Sequence, residues 1–393
     1  MPDKKLGLYI HIPFCMKKCL YCDFCSGVYG PEIRKDYVKA LTNELRYQSE
    51  RLYDYSVASI YIGGGTPTWL EEKLMDRVIK TVFKYYNVEP AAEITMEMNP
   101  ATASESQLFS YHTLGVNRLS IGLQSSNEEE LRTLGRVHSF KDFLRSFEAA
   151  RRSGFDNISV DIMTGIPGQN PLSLKKTLSD VFLMKPEHIS CYSLIIEEGT
   201  PFHDMYGEDD EKRKRGEVQE FLPSEDEEYE LGKTAQNMIK AAGFSQYEIS
   251  NYAKLGKTCL HNVGYWKRTP YLGVGISAAS LIDEIRYTNT RDINEYIRKG
   301  ISSNFPLYNE AEALSEKKRM EEFMFLGLRM TEGILENDFY ETFGVLLDSV
   351  YMLPVERLLS EKLLKRDRGR LFLTELGADL SNYALSMFLL DND

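Results

Sequence analysis

Four cysteines lie within eleven residues near the start of the chain, and three of them have the spacing Cys15-x3-Cys19-x2-Cys22. Thiolates are the usual ligands of iron–sulfur clusters, and three of them leave one iron of a four-iron cluster open to a small molecule. A zinc site more often takes four protein ligands in two separated pairs, whereas Cys191 and Cys259 each stand alone. The spacing therefore predicts a [4Fe–4S] cluster, with zinc or purely structural cysteines as the alternative.

Glycine-rich and polar turns mark the ends of three predicted strands further along the chain. They are Gly63-Gly-Gly-Thr-Pro67, Gly122-Leu-Gln124 and Asp161 with the following Gly165-Ile-Pro167. Taken singly, each is more often a structural turn than a binding loop. In folds built from parallel strands, however, ligands bind at the carboxyl ends of the strands. The three turns together therefore predict one site at that end of the sheet.

The elements that must hold these turns alternate between β-branched runs and helical stretches, with a repeat of roughly 30 residues, the length of one βαβ unit. The predicted strands are Gly7–Ile12, Ser59–Ile62, Glu93–Glu97, Arg118–Gly122, Ile158–Met163 and His188–Leu194. The predicted helices lie near 32–50, 70–85, 104–113, 127–152 and 171–184. Six such units predict an α/β fold in the form of an open, partial (β/α)6 barrel.

The second half of the chain is less regular. Residues from about 199 to 225 form a Pro-, Gly- and charge-rich insertion, in which we expect Glu208–Arg215 to be a solvated surface loop. A helix at about 226–242 and a mixed segment, Ser245–Tyr287, follow. Helical patterns at 309–329 and 348–363, a β-like stretch at Arg370–Leu373 and a last helix from 374 predict a mostly helical, winged-helix-like domain. The predicted domains are 1–300, with a β-rich extension from about 199, and 301–393.

The composition of the chain indicates which kinds of partner the protein could bind and where in the cell it is expected. The chain has 393 residues and a net charge of −12, and because nucleic-acid phosphates require a basic surface, this acidity argues against nucleic acid. The first residues have too short an apolar run for a signal peptide, and no stretch approaches the roughly 20 apolar residues of a membrane span. We therefore expect a cytoplasmic protein, for which peripheral membrane contact stays open.

The cysteine spacing, with the aromatic Tyr21 before the last cysteine, resembles the hallmark of the radical S-adenosylmethionine (SAM) superfamily. The resemblance implies that SAM binds the fourth iron through its amino and carboxylate groups. It also implies that an electron from the cluster cleaves SAM to methionine and a 5′-deoxyadenosyl radical, while the protein supplies orientation and electrostatics.

The resemblance narrows to the oxygen-independent coproporphyrinogen oxidase branch, which includes haem chaperones, and it extends from Tyr9 to about Gly333. On the matching motifs it implies SAM contacts at Gly64, Gly65 and Thr66 for the methionine end, Glu97 near the ribose or amine, and Gln124, Arg136 and Asp161. It also implies that Tyr9 packs against SAM and that Tyr21 lies beside the cluster.

Two functions compete within this branch. One is the oxidative decarboxylation of coproporphyrinogen III to protoporphyrinogen IX in haem biosynthesis, and the other is a haem chaperone that hands haem to an acceptor protein. Another radical SAM reaction, such as methyl transfer, is a third alternative. The chaperone is favoured because Phe24 stands where the oxidases carry a fourth cysteine, and because the first cluster cysteine is already residue 15, without the oxidases' long N-terminal extension.

A hexapeptide in the second half also favours the chaperone. His261-Asn-Val-Gly-Tyr265-Trp266 matches the HNxxYW signature of the haem chaperones. Imidazole is a common axial ligand of haem iron and a planar macrocycle stacks on aromatic rings, so the match implies that His261, Tyr265 and Trp266 bind haem. Without the match, His261 would more often be a hydrogen-bonded structural residue.

Two segments depart from the chaperone pattern. Cys25 stands where the chaperones usually have a polar residue without a thiol, and we expect it to be a bystander and not a ligand. Gly273–Ser280 lacks a histidine that is usual in the chaperones and is closer to the oxidase pattern, in which Ala279 would lie near SAM.

The radical machinery is nevertheless implied to be intact, so enzymatic activity stays open. A complete SAM site on a carrier suggests that SAM or the redox state of the cluster gates haem transfer. The implied partners are haem, an unknown haem acceptor and a reductant such as flavodoxin or ferredoxin.

Overall fold

The computed structural model describes residues 4–390, and its largest element is a twelve-stranded mixed sheet. The first half of the chain alternates strands and helices in the order β1 (Lys4–Ile12), α1 (Pro31–Ser49), β2 (Tyr55–Gly64), α2 (Glu72–Tyr85), β3 (Val88–Met98), α3 (Glu105–Thr113), β4 (Arg118–Gln124), α4 (Glu128–Thr133), α5 (Phe140–Arg152), β5 (Ile158–Thr164), α6 (Pro171–Met184) and β6 (His188–Ser193). Strands β1 to β6 are neighbours in chain order and all run parallel. The prediction of an open, partial α/β barrel is confirmed.

The two faces of these strands differ in chemistry because successive side chains of a strand point to opposite faces. On β1, Leu6, Leu8 and Ile10 belong to the main hydrophobic core together with helix residues such as Leu41. The strand register places polar side chains together on the other face, which lines the barrel interior: Tyr9, Ser59, Tyr61, Glu93, Glu97, Arg118, Ser120 and Asp161. The barrel interior is therefore available for ligand chemistry, while the outer face holds the fold together.

The second half of the chain extends the sheet at both edges. Its elements are α7 (Pro201–Lys214), α8 (Glu225–Ala241), β7 (Ser245–Glu248), β8 (Asn251–Ala253), α9 (Leu260–Trp266), β9 (Tyr271–Val274), β10 (Ala279–Ile282), β11 (Ile285–Asn289), α10 (Ile293–Ile301) and β12 (Tyr308–Ala313). Strands β8 and β7 add antiparallel strands beside β6, whereas β9 runs parallel to β1 and is followed by antiparallel β10 to β12. The chain therefore crosses from one edge of the barrel to the other between β8 and β9, and α9 lies on that crossing.

The predicted helix at 127–152 is wrong in its middle, because the structure has two helices, α4 and α5, with a loop between them. The side chains of Asn127 and Ser139 each cap the helix that follows them. Between the two helices, Gly135 has a φ of +73°, a left-handed conformation that glycine adopts without strain. The break matters for function because it brings the loop residue Arg136 to the carboxyl end of the sheet.

The mixed-charge run Glu208–Arg215 is not the solvated loop that we expected, since most of it is the end of α7. Asp209 is buried, and its carboxylate accepts three backbone amides from residues 220–222 at 2.8 to 2.9 Å. The neighbouring Asp210 pairs with Arg213 at 2.6 Å. Composition alone predicted solvation, whereas these charges have fixed partners that fold the segment against itself.

The C-terminal region has a hydrophobic core of its own, from Met320 to Phe388. It consists of α11 (Glu316–Gly327), β13 (Ile334–Leu335), α12 (Glu336–Phe343), α13 (Leu347–Ser360), β14 (Leu364–Asp367), β15 (Arg370–Leu373), α14 (Glu375–Asp379) and α15 (Ser381–Ser386). The three strands form a separate antiparallel sheet in the order β13-β15-β14. This combination of helices and a small sheet agrees with the predicted winged-helix-like character.

The predicted helix at 309–329 is wrong at its start, because residues 308–313 form β12 and pair with β11. Pairing with an existing sheet edge here overrides the local helical pattern.

The domain boundary at residue 300 stays a prediction, and residues 1–3 and 391–393 of the predicted domains lie outside the described residues. Between residues 4 and 390, none of the helices has both the length and the apolar character needed to cross a bilayer.

Candidate functional site

The loop between β1 and α1 carries the predicted cluster ligands. Three of its four cysteines line one pocket of about 360 Å³ at the carboxyl ends of the parallel strands: Cys15, Cys19 and Cys22. The loop is closed at its base, where the Cys15 amide donates to the carbonyl of Gly27 at 2.9 Å. Cys25 does not line this pocket, and its Sγ lies 3.7 Å from the carbonyl oxygen of Arg291. This position agrees with the expectation that Cys25 is a bystander.

Cys15, Cys19 and Cys22 share one pocket. Among residues 4–390, no three His, Cys, Asp or Glu side chains converge closely enough to hold a single metal ion. An all-thiolate set of three fits a [4Fe–4S] cluster with one iron left for a small molecule.

The glycine turn at the end of β2 packs against the loop and the acidic residue beside it. A Cβ added to Gly63 would lie 2.9 Å from the Glu97 carboxylate, and one added to Gly65 would lie 2.9 Å from the backbone of Phe14. Gly64 has a φ of +112°, and its amide donates to Glu97 Oε2 at 3.0 Å. Only glycine allows the backbone to approach this closely, so the turn packs tightly against Glu97 and the cysteine loop, and its contact with SAM stays a prediction.

Arg136, in the loop between α4 and α5, extends into the pocket. Its Nη1 lies 3.4 Å from Cys19 Sγ, while its Nη2 donates to Asn99 Oδ1 at 2.6 Å and to the carbonyl of Gly122. The Asn99 amide nitrogen in turn donates to Thr66 Oγ1 at 2.8 Å. These bonds fix a permanent cation beside Cys19 Sγ, where it would offset the negative charge of a cluster bound there.

Two acidic side chains face the pocket from β3 and β5. Burial raises the pKa of Glu97 to about 7, although hydrogen bonds from Tyr61 and the Gly64 amide lower it, and the nearby Asp161 raises it further. Burial also raises the pKa of Asp161, whose carboxylate accepts the Ser120 hydroxyl at 3.1 Å. Near neutral pH Glu97 is therefore divided between its neutral and ionised forms, and a cationic ligand favours the ionised form.

We expect the affinity for SAM, a cation, to rise with pH through about 7, because Glu97 must lose its proton before it can bind a positive group. Glu97→Gln should weaken binding about tenfold above that pH and remove the pH dependence, since hydrogen bonds to charged groups contribute more than neutral ones. Calorimetric SAM titrations at several pH values measure both effects. Glu105→Gln, an exposed change on α3, is the control, and a pH dependence that persists in Glu97→Gln would assign the titration to another group.

The pocket collects most of the residues that the sequence singled out. Ten of the twelve predicted for the cluster and SAM line it, namely Cys15, Cys19, Tyr21, Cys22, Gly64, Gly65, Glu97, Gln124, Arg136 and Asp161. The other two lie beside it: the Tyr9 hydroxyl is 2.9 Å from His11 Nδ1, and Thr66 Oγ1 is 3.9 Å from Cys15 Sγ. Ala279, at the start of β10, does not line it. The ligand roles of all these residues stay predictions.

Asn99 and Tyr192 are among the polar residues of the pocket that sequence reasoning missed. Asn99 accepts from Arg136, and the Tyr192 hydroxyl donates to Gln124 Oε1 at 3.0 Å. Both stand at the carboxyl ends of predicted strands, so their position was a usable signal.

The HNxxYW hexapeptide lies at the opposite, amino ends of the strands. His261 is 3% exposed on α9, with Nδ1 3.0 Å from Ser59 Oγ and Nε2 3.1 Å from the Tyr265 hydroxyl. Burial lowers the pKa of His261 to about 3, so the ring is neutral at physiological pH. His261 and Tyr265 line a pocket of about 240 Å³ with Gly7 and Tyr271. Since both ring nitrogens are hydrogen-bonded, His261 can bind iron only by giving up one of these bonds.

Trp266, the third residue predicted for haem, does not share this pocket. The Arg329 guanidinium lies 4.6 Å from the centre of the Trp266 ring, and the indole Nε1 is buried without a hydrogen-bond partner. Arg329 follows α11, so Trp266 connects α9 to the C-terminal region. The structure thus brings His261 and Tyr265 together in one pocket, but Trp266 lies outside it. The predicted stacking of one haem on both Tyr265 and Trp266 therefore does not match the structure.

Glu93, which sequence reasoning missed, holds the hexapeptide in place. This buried residue of β3 accepts the backbone amides of Leu260 at 3.0 Å and His261 at 3.2 Å, at the start of α9. A carboxylate at a helix amino terminus is favourable because the free amides there carry partial positive charge. The two-residue period of the strand places Glu93 on the same face as Glu97, so one strand supplies an acidic residue to each end of the barrel.

Comparisons with known proteins agree with this geometry. Two family models match the chain: Radical SAM superfamily over residues 9–181 and HemN C-terminal domain over residues 314–380. The heme chaperone HemW of Bacillus subtilis (strain 168) is 35% identical over 385 residues, which cover 97% of this chain and 98% of that protein. The heme chaperone HemW of Lactococcus lactis subsp. lactis (strain IL1403) is 32% identical over 100% of this chain and 99% of that protein. That of Escherichia coli (strain K12) is 38% identical over 70% of this chain and 69% of that protein.

Among solved structures, coproporphyrinogen III oxidase (HemN) from Escherichia coli, a radical SAM enzyme, matches with a TM-score of 0.85. The sequence identity is 21%, over 99% of this chain and 91% of that chain. At this identity the likeness shows a shared fold and no more.

Proposed function

Since the chain belongs to the heme chaperone HemW family of the radical SAM superfamily, we propose that it binds haem and transfers it to an acceptor protein. One observation of this molecule carries the proposal beyond family membership. The residues proposed for the cluster and SAM lie at the carboxyl ends of the strands, whereas His261 and Tyr265 lie at the amino ends. Haem held at His261 would sit apart from the place where radical chemistry starts, as suits a cargo and not a substrate.

The proposed cofactors are a [4Fe–4S] cluster on Cys15, Cys19 and Cys22 and a SAM molecule in the same pocket. When bound, these groups supply one-electron chemistry, and the protein orients them. The contacts of the chain that support this role are local: the Gly64 amide holds the Glu97 carboxylate, and the Arg136 guanidinium lies beside Cys19.

The proposed partners are haem, a haem-accepting protein and an electron donor such as flavodoxin or ferredoxin. Although the chain as a whole is acidic, Lys17 and Lys18 are exposed on the cluster loop next to Cys19. A local positive patch of this kind supports docking of an acidic electron carrier near the cluster. The proposed location is the cytoplasm, and peripheral membrane contact stays open.

Anaerobic haem titrations of the cluster-reconstituted protein, followed by the Soret band, test the proposal. Wild type should bind haem saturably, and His261→Ala should weaken binding about tenfold or more, because it removes the axial ligand. Tyr265→Phe is the matched variant: it releases Nε2 from its hydrogen bond, so it should bind haem as tightly as wild type or more tightly. If haem binds but both variants titrate like wild type, His261 is not the ligand.

Coproporphyrinogen III oxidation is the second candidate, supported by the shared fold and by the pocket that collects the SAM candidates. The same preparation should therefore receive coproporphyrinogen III, SAM and a reductant. We expect no protoporphyrinogen. Product that requires Cys19, together with haem binding that is weak and indifferent to His261, would establish the oxidase instead.

A further inference from the structure

Tyr61, which no sequence motif singled out, lies inside the barrel between the two ends described above. It belongs to β2, and strand pairing places it beside Tyr9 on β1. Its hydroxyl donates to Glu97 Oε1 at 3.0 Å, and its ring stacks on the His261 imidazole with 5.3 Å between ring centres and 28° between planes. Tyr61 therefore contacts both a residue proposed for SAM and the residue proposed for haem.

On the SAM side, Tyr61 is one of two donors that fix the Glu97 carboxylate. The Gly64 amide holds Oε2 at 3.0 Å and the Tyr61 hydroxyl holds Oε1 at 3.0 Å. The other ionisable groups that act on this carboxylate are Asp161, which raises its pKa, and Tyr9, a neighbouring hydroxyl. Without the Tyr61 hydroxyl, Oε1 of Glu97 loses this partner, and the Gly64 amide alone holds the carboxylate.

On the haem side, the imidazole that stacks on Tyr61 cannot turn freely. Ser59 lies 3.0 Å from Nδ1 of His261 and Tyr265 lies 3.1 Å from Nε2. Tyr61 is also stacked on Tyr9, with 6.3 Å between ring centres. The Tyr61 ring thus contacts the rings of both His261 and Tyr9, and its hydroxyl is the group that donates to Glu97.

We propose that Tyr61 is a positioning residue that orients Glu97 for SAM and couples SAM binding to the occupancy of His261. The inference rests on the proposed roles of Glu97 and His261. Iron binding at His261 would require the imidazole to give up its hydrogen bond to Ser59 or to Tyr265, and a resulting shift of the ring would change the position of the Tyr61 hydroxyl relative to Glu97. Because coupling between two sites is reciprocal, SAM then alters haem affinity by the same factor by which haem alters SAM affinity.

The first test uses SAM alone, by calorimetric titration of the cluster-reconstituted, haem-free protein. Tyr61→Phe keeps the ring and removes the hydroxyl, and it should weaken SAM binding about tenfold. It should also shift the midpoint of the pH dependence upward, because the lost hydrogen bond favoured the ionised carboxylate. Tyr55→Phe is the matched control: Tyr55 is on the same strand, but its hydroxyl donates to Asp283. Equal SAM affinities in the two variants, or weaker binding without the pH shift, would overturn the positioning role.

The second test repeats the SAM titration with one equivalent of haem bound. Wild type and Tyr55→Phe should show a change of about fivefold or more in SAM affinity on haem binding, the lower end of typical coupling, while Tyr61→Phe should show almost none. Coupling that survives in Tyr61→Phe, or that is absent from wild type, would overturn the coupling role. Failure of wild type to bind haem would defeat the proposed function and the coupling with it, whereas the positioning role is decided by the first test alone.

Discussion

Cys19→Ala is expected to abolish assembly of the iron–sulfur cluster. Its thiol is one of only three that line the pocket, and Arg136 Nη1 lies 3.4 Å from its sulfur. With two thiolates left, a cubane would have two irons without protein ligands. After anaerobic reconstitution, wild type should contain about four irons and four sulfides per chain and show the broad visible absorption of a [4Fe–4S] cluster. Cys19→Ala should contain almost none, because no nearby side chain can replace the thiolate.

Cys25→Ala is the matched control for this experiment. Cys25 is three residues after Cys22 and would be the natural substitute ligand by spacing alone. In the structure it does not line the pocket, and its sulfur points to the Arg291 carbonyl. Cys25→Ala should therefore retain the full iron and sulfide content. Equal loss of iron in both variants would show that Cys25 is a ligand, contrary to this geometry.

Gly64→Ala is expected to eliminate SAM binding and to destabilise the protein. A Cβ at this position would lie 2.5 Å from Cε1 of the His11 ring, and the backbone φ is +112°. His11 cannot move aside easily, because its two ring nitrogens lie 2.9 Å from the Tyr9 hydroxyl and 2.9 Å from the Cys25 carbonyl. The turn must therefore shift, and with it the Gly64 amide that holds Glu97. We expect SAM affinity to fall at least about a hundredfold and the free energy of unfolding to fall by about 3 kcal/mol.

Gly216→Ala separates backbone strain from steric clash. Gly216 also has a positive φ, +68°, but a Cβ there would meet nothing within 4 Å. This variant should lose only about 1 kcal/mol of unfolding free energy, the cost of a left-handed alanine, and should bind SAM normally. Urea unfolding and SAM titration measure both variants. A Gly64→Ala protein that binds SAM as Gly216→Ala does would rule out the tight approach of this turn as a requirement for the site.

The candidate SAM residues were predicted from the resemblance to a known family, because the matching motifs are short and can be recognised in the sequence. These motifs are spread from Tyr9 to Asp161, and the parallel strands bring their carboxyl ends to one side of the sheet. The two-residue period also separates the polar interior residues, such as Glu97, from the apolar outer ones, such as Met96. Ten of twelve predicted residues consequently line one pocket.

The errors have different physical causes. Gly135 and the cap at Ser139 interrupt a helical pattern in 127–152, and pairing with β11 turns residues 308–313 into a strand. In Glu208–Arg215, buried partners replace the solvent that composition predicted. The pairing of β12 with β11 exists only in the folded chain, whereas Gly135 and the Ser139 cap are local breaks that the helical periodicity of 127–152 obscured.

By itself the sequence determined the α/β barrel, from its alternating strands and helices, and the candidate cluster cysteines, from their spacing, because both patterns can be followed along the chain. Only the tertiary structure decided where the hexapeptide stands. The crossing between β8 and β9 carries α9 to the amino ends of the strands, and Glu93, from a distant part of the chain, fixes it there. The contact of Tyr61 with both Glu97 and His261 likewise exists only after β2, β3 and α9 meet, since these residues are far apart in the sequence.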